Sequence, residues 1–148
     1  MKEYKFRAWD KELNIMCDVA VINFYYGNVV LLARNEEQRK LFQEMNKKAL
    51  IECDDRLSVS INEVALMQYT DLKDKNGKQI YESDVVKLNT FKGVKKGTVI
   101  FKNACFWVLV KEFNTVSNVL FPLHDNEGCT KFEVIGNIYE TSKLLEVV

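Results

Sequence analysis

Leu66–Leu88, LMQYTDLKDKNGKQIYESDVVKL, is the stretch whose reading decides the fold. The alternation that begins at Val64 continues into it: Val64, Leu66 and Gln68 fall on one side, Ala65, Met67 and Tyr69 on the other, the period of a strand. Asp74-Lys75-Asn76-Gly77 then reads as a tight turn, since Asn and Gly accept a positive φ at little cost. A short polar passage follows. A second strand-like run starts near Val85, with Asp84 at its head, where a carboxylate commonly accepts from nearby backbone amides and fixes a turn. Asp74-x-Asn76-Gly77 superficially matches a calcium loop. The acidic position two residues before Asp74 is Leu72 and the Glu position six after Gly77 is Ser83, so the register fails at both ends.

Outward from this block the chain reads mostly as strands. On the N-terminal side, Tyr4–Trp9 alternates, with Lys5 and Arg7 on one side and Phe6 and Ala8 on the other; Asp10–Asn14 is a polar turn. Val19–Tyr26 and Val29–Ala33, separated by Gly27-Asn28, read as a hairpin. Asn35 suits a helix N-cap with Gln38 completing a capping-box pattern, and Leu41, Phe42, Met45 and Ala49 share one helical face. Ser58–Asn62 is a short strand. On the C-terminal side, strands are expected at Gly97–Lys102, Cys105–Val110, Asn118–Phe121 and Lys131–Ile135, with a kink at Gly136-Asn137 and a short helix at Ser142–Glu146. Short strands with Gly93, Gly97, Gly128 and Gly136 at turns or bends suit a small, bent β-barrel of SH3-like type. Its expected core is Val86, Leu88, Val99, Phe101, Phe106, Val108, Phe121, Val134 and Ile138. Cys105, in the run ACFWVLV, also reads as core.

The predicted fold class is therefore α+β and mostly β. Residues 1–65 form an N-terminal unit of strands and one amphipathic helix, and 66–148 form an SH3-like barrel unit, with a shared core as an alternative. A chain of 148 residues is long enough to bury roughly 70% of its unfolded surface without a metal or disulfide staple.

Composition narrows the function classes. Lys plus Arg and Asp plus Glu are 21 each, for a net charge of zero, where nucleic-acid-binding domains usually carry a basic surplus. Near-neutrality also removes long-range self-repulsion, so self-association is expected. No signal peptide or apolar run of membrane-spanning length is present, and a cytoplasmic location is expected. Cys17, Cys53, Cys105 and Cys129 are scattered and contain no CxxC pair, so reduced thiols are expected rather than a zinc site or disulfides. His124, the single histidine, has no partner signature for general-base work beyond adjacent Asp125. No phosphate-loop, dinucleotide or zincin motif occurs. No catalytic residue, cofactor or metal is expected.

Four blocks resemble the YopX family of bacteriophages and Gram-positive prophages: KFRAWDK at Lys5–Lys11, the Leu66–Leu88 block, GTVIF at Gly97–Phe101 and FEVIGNIYE at Phe132–Glu140. The family's central pattern resembles YTGLKDKNGKEIYEGDIV. Asp71 and Ser83 stand here where Gly is usual: either a positive φ is not needed at those positions, or a strained backbone is tolerated. The resemblance implies a phage origin and a β-rich fold. It supplies no activity.

Two functions follow. The first is a non-enzymatic phage accessory protein acting through protein–protein contacts with itself and with an unknown host or phage protein. The second is a small-barrel nucleic-acid-binding module. Lys87, Lys92, Lys95, Lys96 and Lys102 cluster around the first barrel hairpin, with Phe91, Phe106 and Trp107 nearby. The residues expected to touch nucleic acid are Lys92, Lys95, Lys96, Lys102 and Trp107. The plainer reading is that the lysines solvate a loop and guard strand edges. Because Phe106 and Trp107 are adjacent in a strand, they must face opposite ways.

Overall fold

The computed structural model describes residues 5–48, 55–90, 93–111, 118–123 and 131–141. The chain divides after Met67 into two compact units, each with its own hydrophobic cluster.

The first unit, Lys5–Met67, contains β1 (Phe6–Asp10), β2 (Ile15–Asn23), β3 (Asn28–Leu32), α1 (Glu36–Lys48), β4 (Arg56–Ser60) and the start of β5 (Val64–Lys73). Its strands lie in the order β4-β3-β2-β1-β5. The β1–β2 turn is held by Asp10, whose Oδ1 accepts from the N–H groups of Glu12 and Leu13. Because β1 is an interior strand, Arg7 is buried along with Ala8; the expectation that Arg7 sits on a polar side is corrected. α1 is capped by Asn35, whose Oδ1 accepts from Gln38 N–H at 2.9 Å. The reciprocal bond is displaced by one residue: Gln38 Oε1 accepts from Arg34 N–H. Phe42 is fully buried among Ala8, Cys17, Val29, Leu31, Leu57 and Val64, with Met45 packed at the edge. Asn46 is buried too, and its Nδ2 donates to Arg56 O.

β5 carries the chain into the second unit, where its far end pairs with β6 (Gln79–Tyr81), a strand inside the passage expected to be merely polar. Thr70 Oγ1 donates to Ile80 O, and Tyr81 N–H donates to Asp84 Oδ2, which anchors the segment at both ends. The remaining strands are β7 (Asp84–Thr90), β8 (Gly93–Lys102), β9 (Cys105–Lys111), β10 (Asn118–Pro122) and β11 (Phe132–Asn137). They form a five-stranded antiparallel sheet in the order β10-β9-β8-β7-β11. β10 and β11 are its outer strands among the described residues, and the two are not paired with each other.

The core of this sheet holds Ile80, Val86, Leu88, Val99, Val108, Val110, Leu123, Phe132 and Val134, with Phe106 and Phe121 at its margin. Phe101 is half exposed and Cys105 exposed, which corrects the expectation that both are core. Cys105, next to core-facing Phe106 and opposite Lys102, falls on the other side of the sheet, while Phe101 is on the core side but at the hairpin end. Gly97 is not at a bend. It is mid-strand, and a Cβ there would meet Val108 Cγ1 at 2.6 Å and Leu109 O at 2.8 Å.

The register of β11 on β7 shifts between Val134 and Gly136, near the expected kink. Asp71 and Ser83 both adopt positive φ, 67° and 66°, so the strained alternative is the one realised. The segment expected to be helical at Ser142–Glu146 lies outside the described residues, as do His124, Lys92, Cys53 and Cys129.

Candidate nucleic-acid interface

From Val85 to Lys111 the chain carries six lysines and no Asp or Glu. With a net charge of zero overall, every other residue together therefore carries −6. The neutral total conceals a strongly basic meander, β7-β8-β9.

Register sorts these lysines by face. Val86 pairs with Gly97, Leu88 with Lys95 and Val99 with Val108; these residues share the side that holds the core. Lys87 pairs with Lys96, Thr98 with Leu109 and Ile100 with Trp107, and they occupy the other side. Lys102, opposite Cys105, extends that second side to the hairpin end. Leu120 adds to it from β10, opposite Leu109. The outer face is thus a row of apolar and aromatic side chains bordered by Lys87, Lys96 and Lys102, with Glu133 of β11 opposite Lys87 and Val85 fully buried at its β7 end.

Lys96 and Lys102 are exposed, while Ile100, Trp107 and Leu109 are partly so. Lys87 and Lys96 lie directly opposite each other, a like-charge pair that costs about 0.2–1 kcal/mol, while Glu133 flanks Lys87 on its other side and offsets part of that repulsion. Trp107 Nε1 donates to Lys102 O at 3.0 Å, which fixes the indole beside that lysine. With its one donor used within the chain, the ring offers a ligand π surface rather than a polar contact.

Of the residues expected to touch nucleic acid, the structure brings together Lys96, Lys102 and Trp107. It does not bring Lys95 with them: adjacent to Lys96 in a strand, it lies on the core side of the sheet, at the border. Lys92 lies outside the described residues. Sequence reasoning missed Ile100 and Leu109 as members of the face, and it named Lys87 in the basic cluster without counting it among the contacts. Alternation from Trp107 would have found Leu109, but Lys87 requires the β7–β8 register. As expected, Phe106 faces away from Trp107; it packs on the core and meets Phe101 with ring centroids 5.0 Å apart and planes tilted by 57°.

Other ionisable groups have structural work. Asp74 Oδ1 accepts from Asn76 and Lys78 N–H, and its Oδ2 accepts from Val134 N–H at 2.9 Å, sixty residues away. Burial pushes the carboxyl up, but the three backbone donors and the Lys78 charge outweigh it and hold the pKa below the ordinary value. A carboxylate saturated in this way closes a turn. Lys75 Nζ meets Glu133 Oε2 at 2.7 Å, and Lys75 N–H donates to Phe132 O, so the same turn is stitched twice more to β11. Asp84 is buried beneath its own turn. The Cys17 thiol is pushed up to about 12, first by burial and then by Asp10, and is inert at neutral pH. Among the described residues no group of three or more His, Cys, Asp or Glu side chains could hold a metal ion. No helix among them is long and apolar enough to cross a membrane.

Two small antiparallel β units, one with a single helix packed on it and one a five-stranded sheet, define a mostly β protein. The chain belongs to the YopX protein family, which matches residues 5–146. Protein EF1440 from Enterococcus faecalis has a similar crystal structure, with a TM-score of 0.58 and 20% identity over 99% of this chain and 100% of that one. Protein yopX from Bacillus subtilis is similar with a TM-score of 0.53 and 21% identity, over 96% and 98%. At such identities the likeness carries the fold alone. A comparison with curated proteins found no match.

Proposed function

We propose that this chain is a non-enzymatic phage accessory protein that acts by surface contact, and that the outer face of its five-stranded sheet receives a single-stranded nucleic acid. The observation that carries the reading is the register: it gathers Lys96, Lys102 and Trp107, with Lys87 beside Glu133 of β11, on one side of a meander that itself contains no carboxylate beyond Asp84. Lysines at the border draw in the phosphates, and an indole held in place stacks on a base; stacking of this kind contributes about 1–3 kcal/mol per base. We read the sheet itself as a partly open SH3-like barrel. Its support is the connectivity, a four-strand meander with the fifth strand returning beside the first, bent at the Val134–Gly136 bulge.

The test is fluorescence anisotropy with a labelled single-stranded oligonucleotide across a salt series. Binding that weakens with salt, with a log–log slope near −2 for about three phosphate contacts, is the expected outcome. Lys96→Glu is expected to weaken it far more than Lys95→Glu, because only the first lies on the outer face. No binding at low salt, or equal loss from both variants, removes the reading.

A further inference from the structure

The turn that joins β2 to β3 projects three aromatic side chains into solvent: Phe24 is 80% exposed, Tyr25 89% and Tyr26 77%. The sequence places these residues at the end of a β-branched and aromatic run, where they read as strand. They leave the strand because Asn23 ends it: its Oδ1 accepts from both Tyr25 and Tyr26 N–H. Gly27 takes φ +66°, and its carbonyl accepts from Ile61 N–H. The two tyrosine rings stand edge to face with centroids 4.9 Å apart. This is a hydrogen-bonded display rather than a loose loop, and three ordered aromatic side chains in water have no role in the fold.

The hairpin itself carries no charge, and the charged groups nearest its tip, Glu63 and Lys11, are engaged within the chain, Glu63 Oε2 accepting from Ser60 N–H and Lys11 Nζ donating to Asn62 O. From Val19 to Ala33 there is no Asp, Glu, Lys, Arg or His. Behind the tip the cross-strand rows are Val21–Val30–Ser58 and Asn23–Asn28–Ser60, also uncharged, and Val21 is 49% exposed. The row beyond brings in Asp18 and Arg56, and Asp18 is already paired with Arg34. An anionic polymer or an anionic membrane would find no cation on the hairpin itself, and Lys11 beside it already donates to Asn62 O. A charged protein surface would bury its charges without partners, which is costly.

We propose that this charge-free tip is a self-association surface on which a second copy of the chain docks through the same residues. A second copy presents the one surface certain to match it: uncharged, aromatic, with tyrosine hydroxyls able to stay at a wet rim. The area agrees. Three such rings expose roughly 500 Å² per copy, so an isologous pair buries roughly 1,000 Å², the lower bound of a specific interface. The contact is therefore a weak, concentration-dependent dimer. The inference does not depend on the nucleic-acid reading, since the two surfaces share no residue and the test contains no nucleic acid.

Sedimentation velocity on the full chain, from low-micromolar to near-millimolar concentration, is the experiment. The mass is expected to climb from one chain towards two. The double variant Phe24→Ser/Tyr25→Ser is expected to stay at one chain with an unchanged melting curve, its dimerisation at least tenfold weaker. Val21→Lys, which places a charge in the uncharged field, is expected to do the same and serves if the serine variant misfolds. Lys40→Ser on the exposed side of α1 is expected to leave association intact. A wild-type chain that stays monomeric at the highest concentration overturns the proposal, as does tip substitution without effect. So does a monomer that sediments with neutral phosphatidylcholine vesicles through Phe24 and Tyr25, since a lipid surface is then the occupant.

Discussion

The β2–β3 and β8–β9 hairpins are built alike and equipped oppositely. Each is an antiparallel pair closed by a short turn that needs positive φ, at Gly27 in one and at Asn103 and Ala104 in the other. The first has no charged residue from Val19 to Ala33; the second sits in a meander with six lysines and no carboxylate from Val85 to Lys111. The difference teaches that net charge describes neither surface. A neutral total argues against nucleic acid only if the charges are evenly mixed, and here they are segregated by element.

The largest expected effect would break the second hairpin's backbone. Gly97→Val pushes a branched side chain into Val108 and the carbonyl of Leu109, and overpacking of this kind costs about 2–3 kcal/mol. A fall in melting temperature of roughly 4–12 °C follows, readable by calorimetry. Gly27→Ala in the first hairpin has open space around its new Cβ and only its φ to resist it, so a loss of about 1 kcal/mol is expected. Equal losses would show that close approach at Gly97 is not what distinguishes them.

Next is the charge contrast itself. Lys96→Glu together with Lys102→Glu is expected to make the salt slope of oligonucleotide binding shallower by about 1.4, two contacts' worth, and to leave dimerisation at the β2–β3 tip unchanged. A variant that alters both would mean that the two surfaces are not separate.

Acid sharpens the comparison by acting on the clamp that holds β11. The folded pKa of Asp74 lies below its unfolded value. Its stabilising contribution is therefore complete above the ordinary carboxylate pKa of about 3.9 and is lost as pH falls through the folded value. Asp74→Asn is expected to cost about 1–2 kcal/mol at neutral pH and to flatten the acid limb of a melting-temperature profile. An unchanged limb would place the acid sensitivity elsewhere.

The smallest effect has the opposite sign. Ala104→Gly relieves a left-handed alanine in the β8–β9 turn, a gain of about 1 kcal/mol and roughly 2–4 °C. Circular-dichroism melts would detect it, and a loss would mean that Ala104 makes a contact worth more than its strain.

Much of this architecture was legible in the sequence because alternation and caps are local signals. The helix from Asn35, the DKNG turn and most of the strands were found that way. The errors have a common physical cause. Val19–Tyr26 reads as one strand by composition, but the side chain of Asn23 competes for two amides and stops it. Cys105 sits in an apolar run, but as the strand neighbour of core-facing Phe106 it must face the other side, and Phe101 is on the core side only at the hairpin end. Neighbouring lysines look like one patch in a sequence, whereas a strand sends Lys95 and Lys96 to opposite sides. The basic face thus became visible only when register assigned the sides.

Asp71 and Ser83 carry a consequence for how such a chain changes over generations. Both keep a left-handed backbone conformation that glycine, the residue of the pattern this block resembles, adopts freely. The bend is held here without the residue that adopts it most easily. A lineage can accept that exchange only while the rest of the molecule has stability to spare, so restoring glycine at either position would reopen a margin in which other, costlier substitutions become tolerable.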